Sequence, residues 1–136
     1  MAIANGLSNR PIKKIIDKNN CTWFLPKISK LDARKKWIIS SISPKGGLII
    51  DDGAKQALSN GKSLLAAGIK KVYGKFNKGD HIKVLDKKNF ECARGLSSFS
   101  SEEILKIMGH HSNEIEKLLG YVSKSEVIHK DDMVKV

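Results

Sequence analysis

The chain reads as a mainly β fold with small helices, closed into a compact pseudo-barrel of about 90 to 100 residues. Three observations carry this reading. Short apolar runs such as Leu48-Ile49-Ile50 and Ile69 to Tyr73 are cut off by glycine or aspartate. Alternation from His81 to Leu85 puts Ile82 and Val84 on one face. Eleven glycines in 136 residues, with 40% apolar content, mark a heavily turned domain that still buries a core.

In chain order, Ala2 to Gly6 reads as the end of a buried strand with a turn at Asn5-Gly6. A short helix follows, with Pro11 in its first turn and Ile12, Ile15 and Ile16 on one face. One strand and one short helix cannot form a core of their own, so this piece reads as the edge of something else. Asn19 to Leu31 is irregular, with Pro26 interrupting it. Asp32 to Ile39 fits either a helix capped by Asp32 or a strand entered at Trp37; both readings place Trp37 and Ile38 in the core. Pro44 to Gly47 reads as a turn before the strand Leu48–Ile50, and Asp51-Asp52-Gly53 opens a helix closed at Gly61. Leu64-Leu65 leads to a strand broken at Gly74. His81–Leu85 and Phe90–Leu96 make a hairpin about Asp86–Asn89. Ser100 with Glu103 forms a capping box for a helix ending at Gly109. A second helix, starting from Asn113 or Ser112, carries Ile115, Leu118 and Leu119 as its apolar face. Two extended pieces flank the turn Lys130–Asp132.

The formal charge is +11, unevenly spread. Residues 1–36 carry nine Lys/Arg against two Asp/Glu, and residues 37–136 carry sixteen against twelve. Such a field attracts nucleic acid, acidic lipid or an acidic partner domain without choosing among them. Aromatic residues are only 6% of the chain, too few for an interleaved stacking surface for single-stranded nucleic acid. The opening MAIANGLSNR is no secretory leader, and no run of apolar residues is long enough to span a membrane; a cytoplasmic setting with Cys21 and Cys92 reduced is expected.

Gly61-Lys62-Ser63 resembles the end of a phosphate-binding loop, but G-x-x-x-x-G-K-S needs glycine where Gln56 stands. It reads as a turn bearing a lysine. His110-His111 point apart on any regular element and have no converging third ligand, so they read as a connector, one ring donating to a backbone carbonyl. Asp51-Asp52 reads as one helix cap and one carboxylate facing solvent or a basic neighbour. Asp131-Asp132 beside His129 lacks a positioned nucleophile, and Ser97, Ser98, Ser100 and Ser101 read as capping residues. Lys45, Lys62, Lys70, Lys71, Lys75 and Arg94 lie in or beside turns and short strands, and several could share one rim of the barrel. No metal site and no catalytic residue is assigned.

Residues 34 to 136 resemble the C-terminal PUA domain of the glutamate 5-kinase (gamma-glutamyl kinase) family. The likeness runs through Arg34-Lys35-Lys36-Trp37-Ile38, Ile50-Asp51-Asp52-Gly53-Ala54, Gly61-Lys62-Ser63-Leu64-Leu65, Ala67-Gly68-Ile69 and Gly79-Asp80. It continues in Ala93-Arg94-Gly95-Leu96, Ser100 to Glu103, Gly109-His110-His111-Ser112, Leu119-Gly120-Tyr121 and Val127 to Met133. Ile3 to Gly6 and Cys21 to Phe24 resemble the last part of that family's kinase domain, with Cys21 where the family usually has glycine.

The resemblance implies residues 1–30 as a kinase-domain remnant plus linker and 31–136 as the PUA domain. It implies a parent enzyme that moves the γ-phosphoryl of ATP, with Mg, to the side-chain carboxylate of glutamate in proline biosynthesis. The catalytic elements would belong to an N-terminal amino-acid-kinase domain absent from these residues, the natural partner and the route to any homo-oligomer. This part would be noncatalytic, without cofactor, and would modulate activity or assembly. The alternative it implies is RNA or DNA on a rim of Lys55, Lys62, Lys70, Lys71 and Arg94. No membrane partner is expected.

Overall fold

A computed structural model describes residues 1–18, 21–25, 29–40 and 43–136. In the N-terminal piece, β1 (Ala2–Ala4) and β2 (Cys21–Trp23) pair antiparallel, Ile3 opposite Thr22, on either side of α1 (Pro11–Ile16). Pro11 opens α1 where a missing N–H costs no helical bond. In this chain Ile3 is 54% exposed, and Ile12 and Ile16 on α1 are more exposed still. The irregular reading of 19–31 is corrected, because main-chain pairing with β1 makes Cys21–Trp23 a strand. The reading at Pro26 lies outside the described residues.

Helix α2 (Lys30–Ser40) resolves the choice over residues 32–39. Ser29 rather than Asp32 caps it: the Asp32 amide donates to Ser29 Oγ at 3.0 Å, and that hydroxyl donates to the Asp32 carboxylate at 2.7 Å. Ile38 is fully buried, but Trp37 is 56% exposed and is not core, since helical neighbours point about 100° apart.

The barrel is built from β3 (Gly46–Ile50), β5 (Ile69–Gly74), β6 (His81–Leu85), β7 (Glu91–Leu96) and β9 (Met133–Lys135), with β4 (Leu64–Leu65) and β8 (Glu126–Ile128) forming a separate ribbon. The main sheet runs β5-β3-β6-β7-β9. β3 and β6 are parallel, with Leu48 opposite Val84, and the remaining neighbours are antiparallel. Gly46 and Gly47, expected in a turn, are buried within β3. A Cβ on Gly47 would lie 2.2 Å from the Tyr73 hydroxyl, so glycine is needed for close strand packing. The β4–β8 ribbon seats on the sheet at Gly95, where a Cβ would lie 2.6 Å from Ile128.

Three helices complete the domain: α3 (Asp52–Ser59), α4 (Ser101–Ile107) and α5 (Ile115–Leu119). One apolar cluster joins Leu48, Ile82 and Val84 of the sheet to Leu64, Phe76, Phe99, Ile104, Ile107, Ile115 and Ile128. The capping box on α4 is present: the Glu103 amide donates to Ser100 Oγ and the Ser100 amide to the Glu103 carboxylate at 2.7 Å. The other three serines are not caps. Ser97 and Ser101 instead accept the amides of Phe99 and Phe76, and Ser98 is buried with its amide on Val127. Before α5 a single 3₁₀ turn, Ser112–Glu114, intervenes, and Leu118 is exposed rather than packed.

Candidate functional site

The exit of β3 forms one wall of a cleft. Asp51, the last residue before α3, accepts the Ala54 amide at 2.8 Å and so caps the helix. Asp52 turns outward to the Lys87 ammonium at 2.6 Å. The division of roles expected for this pair is therefore present. Gly61, with φ of +73°, ends the turn beyond α3 and delivers Lys62 and Ser63 to β4. On the far side, Gly68 lets the 3₁₀ turn Ala66–Gly68 approach α3, since a Cβ there would meet Ala54 Cβ at 2.4 Å.

Between these walls lies a cleft of about 430 Å³ lined by Asp51, Ala54, Lys62, Leu65, Gly68 and Glu126, among others. Its surface is chiefly apolar, with Lys62 and two carboxylates contributing charge. Glu126 comes from β8, which only the long-range β4–β8 pairing brings here. No local pattern in the sequence announces it.

The five basic residues expected on one rim have different surroundings. Lys55 donates to Asp86 at 2.8 Å, and Asp86 is 5% exposed at the start of the β6–β7 turn. That bond raises the Lys55 pKa. The same bond, then the Phe90 amide, holds the Asp86 carboxyl below its ordinary range. Lys70 lies 3.5 Å from the other oxygen of Asp51. Lys62 lines the cleft, and Lys71 is exposed on β5 opposite Ile49. Arg94 stands apart on β7, with β3 and β6 between it and β5. It is bound to Glu91, whose carboxyl the Arg94 guanidinium keeps low. Lys62 and Lys70 meet at the cleft through its lining and through Asp51, whereas Arg94 does not join them.

Elsewhere, Glu114 accepts the His111 amide at 2.9 Å and lies 3.5 Å from His110 Nδ1, in place of the expected histidine-to-carbonyl bond. Lys45 pairs with Asp80 at 2.8 Å, and Lys75 lies 4.0 Å from Glu102. Cys21 and Cys92 are free thiols. Among the described residues no three His, Cys, Asp or Glu side chains converge as a metal site, and no helix is long and apolar enough to cross a membrane.

A small mixed-sheet barrel with a cleft beside a capped helix is thus the class of domain defined by the fold. A family profile described as the PUA domain matches residues 46–119, and the chain belongs to that family. It is 85% identical over all 136 residues to the glutamate 5-kinase of Pelagibacter ubique (strain HTCC1062), covering 37% of that protein. It is 46% identical over 134 residues, 98% of the chain, to the glutamate 5-kinase of Paramagnetospirillum magneticum (strain AMB-1), covering 36% of it. The chain therefore spans little more than a third of the curated relatives it matches. Among solved structures, a PUA domain of Aeropyrum pernix K1 in tartrate complex aligns with TM-score 0.48 and 22% identity, over 62% of this chain and 41% of that one.

Proposed function

We propose that this chain is the PUA-bearing part of a glutamate 5-kinase. The longer protein transfers the γ-phosphoryl of ATP, as its magnesium complex, to the side-chain carboxylate of glutamate in the cytoplasm, for proline biosynthesis. This part is noncatalytic and modulates the activity or assembly of the whole. The supporting observation is the 85% identity to a glutamate 5-kinase that extends through both the barrel and the N-terminal piece.

The exposed Ile12 and Ile16 of α1 and the small β1–β2 pair fit an edge covered by the rest of such a protein. The phosphoryl-transfer machinery, which demands close charge stabilisation around the phosphates, then lies in that remainder, the amino-acid-kinase domain through which a homo-oligomer would form. Nucleic acid on the rim is the weaker reading. Lys55 and Arg94 are taken up by Asp86 and Glu91, and a phosphate entering the cleft would meet Asp51 and Glu126.

The test is an ADP-release assay on the purified chain and on the full-length reading frame. Glutamate-dependent turnover is expected in the full-length protein alone. Turnover by the 136-residue chain would overturn the noncatalytic assignment, and none in the full-length protein would overturn the kinase assignment.

A further inference from the structure

Helix α2 is fastened to the barrel at three points of different chemistry. Ile38 is fully buried, and Arg34 meets Asp132, beside β9, at 2.6 Å. At the third point the Trp37 indole stands edge-on to the His81 imidazole on β6, ring centroids 4.5 Å apart and planes at 63°. The first two hold at any pH near neutrality. The third depends on a proton.

Nε2 of His81 is buried and has no hydrogen-bond partner among the described residues. A charged imidazolium there would place an N–H donor at Nε2 with no acceptor, so the docked arrangement suits the neutral ring. Burial lowers the proton affinity of the ring, and the neighbouring Asp80 acts in the opposite sense. Asp80 is already engaged, accepting the Lys45 ammonium and the Asn77 amide, each at 2.8 Å. Just before β3, Lys45 donates its amide to the His81 carbonyl at 3.1 Å, and its ammonium is held by Asp80. From β7 the residue opposite is Leu96, and from α2 the facing group is the indole.

We propose that α2 is a strap held on the barrel at neutral pH and released on acidification, with His81 as the release point. An undocked His81 has the ordinary affinity of an exposed histidine, near pH 6.5. The docked ring binds its proton less readily. Docking is therefore fully supported above about pH 6.5, and that support is lost as the pH falls towards the docked value. Release would free the segment that joins the N-terminal piece to β3 while leaving the sheet paired.

Amide hydrogen exchange of the 136-residue chain at about pH 7.5 and about pH 5.5, corrected for intrinsic rates, tests this directly. The expected result is a several-fold loss of protection across residues 31–40 with β3 and β6 unchanged. His81→Gln and His81→Phe should each remove that pH dependence, and Trp37→Leu should lower α2 protection at both values. Equal protection at the two values, a loss shared with β6, or a pH response surviving in folded His81→Gln would overturn the proposal. The wild-type ring also reports by NMR: His81 should titrate below the ordinary histidine value, and an ordinary midpoint would overturn the proposal as well.

Discussion

The Lys55 ammonium and the Asp86 carboxylate, 2.8 Å apart, tie helix α3 to the β6–β7 turn. Asp86 also accepts the amides of Lys88 and Phe90, at 2.8 and 3.0 Å, so one carboxylate organises the whole turn. Its carboxyl sits below the ordinary range in the folded chain, chiefly through Lys55. The unfolded chain therefore takes up its proton first as the pH drops. The stability Asp86 contributes is present above about pH 4 and lost as the pH falls through the folded value. Asp86→Asn should lower the urea midpoint at neutral pH and flatten the acid limb of the stability profile. An unaltered acid limb would show that other carboxylates set it.

Close approach of α3 to the 3₁₀ turn rests on Gly68. Gly68→Ala should destabilise the domain by about 1–3 kcal/mol through overpacking against Ala54. Gly53→Ala is the matched control, since its nearest neighbour would be 3.5 Å away and alanine favours the helix by about 0.5–1 kcal/mol. Chemical denaturation of the two variants should give changes of opposite sign.

The α4 cap is a reciprocal pair with a third member. Burial pushes the Glu103 carboxyl up, but the Tyr121 hydroxyl and the Ser100 amide outweigh it and hold the carboxyl low. Ser100→Ala should cost about 1 kcal/mol, read as a lower thermal midpoint. Tyr121→Phe should leave the two capping bonds in place and cost less than Ser100→Ala, because Tyr121 is exposed.

Lys62 lines the cleft, Lys70 meets its Asp51, and Lys71 is exposed on β5. Titrating a structured RNA at two salt concentrations should show no saturable binding even at low salt. Micromolar affinity that weakens steeply with salt, and falls in a Lys62→Ala/Lys71→Ala variant, would restore the nucleic-acid reading.

The legible parts of the fold are those whose partners are close in sequence. Asp51 capping α3, Ser100 with Glu103, and the β6–β7 hairpin are set by groups within a few positions of one another, where residue type and spacing suffice. Gly46 and Gly47 carry the same local signal as a turn. Their place inside β3 follows from Tyr73 and from parallel pairing with β6, neither of which has a local pattern. The exposure of Trp37 is not legible in the sequence, because hydrophobicity alone does not fix the face of a helix whose ends are undefined. At the cleft, Lys62 stands in a turn that the sequence marks, but Glu126 arrives through β8 and Lys55 is diverted by Asp86, more than thirty positions away.

The pairing of Leu64 with Ile128, and of β7 with β9, has a consequence for how the domain is made. Strands β3, β5, β6 and β7 leave the ribosome before β8, whose pairing with β4 completes the ribbon over their apolar face, and before β9, which shields the β7 edge. Until residues 126 to 135 emerge, the nascent sheet presents an unprotected edge and an uncovered core to its surroundings. Translation arrest between residues 126 and 135 would therefore yield an aggregation-prone, half-covered sheet rather than a slightly shortened domain.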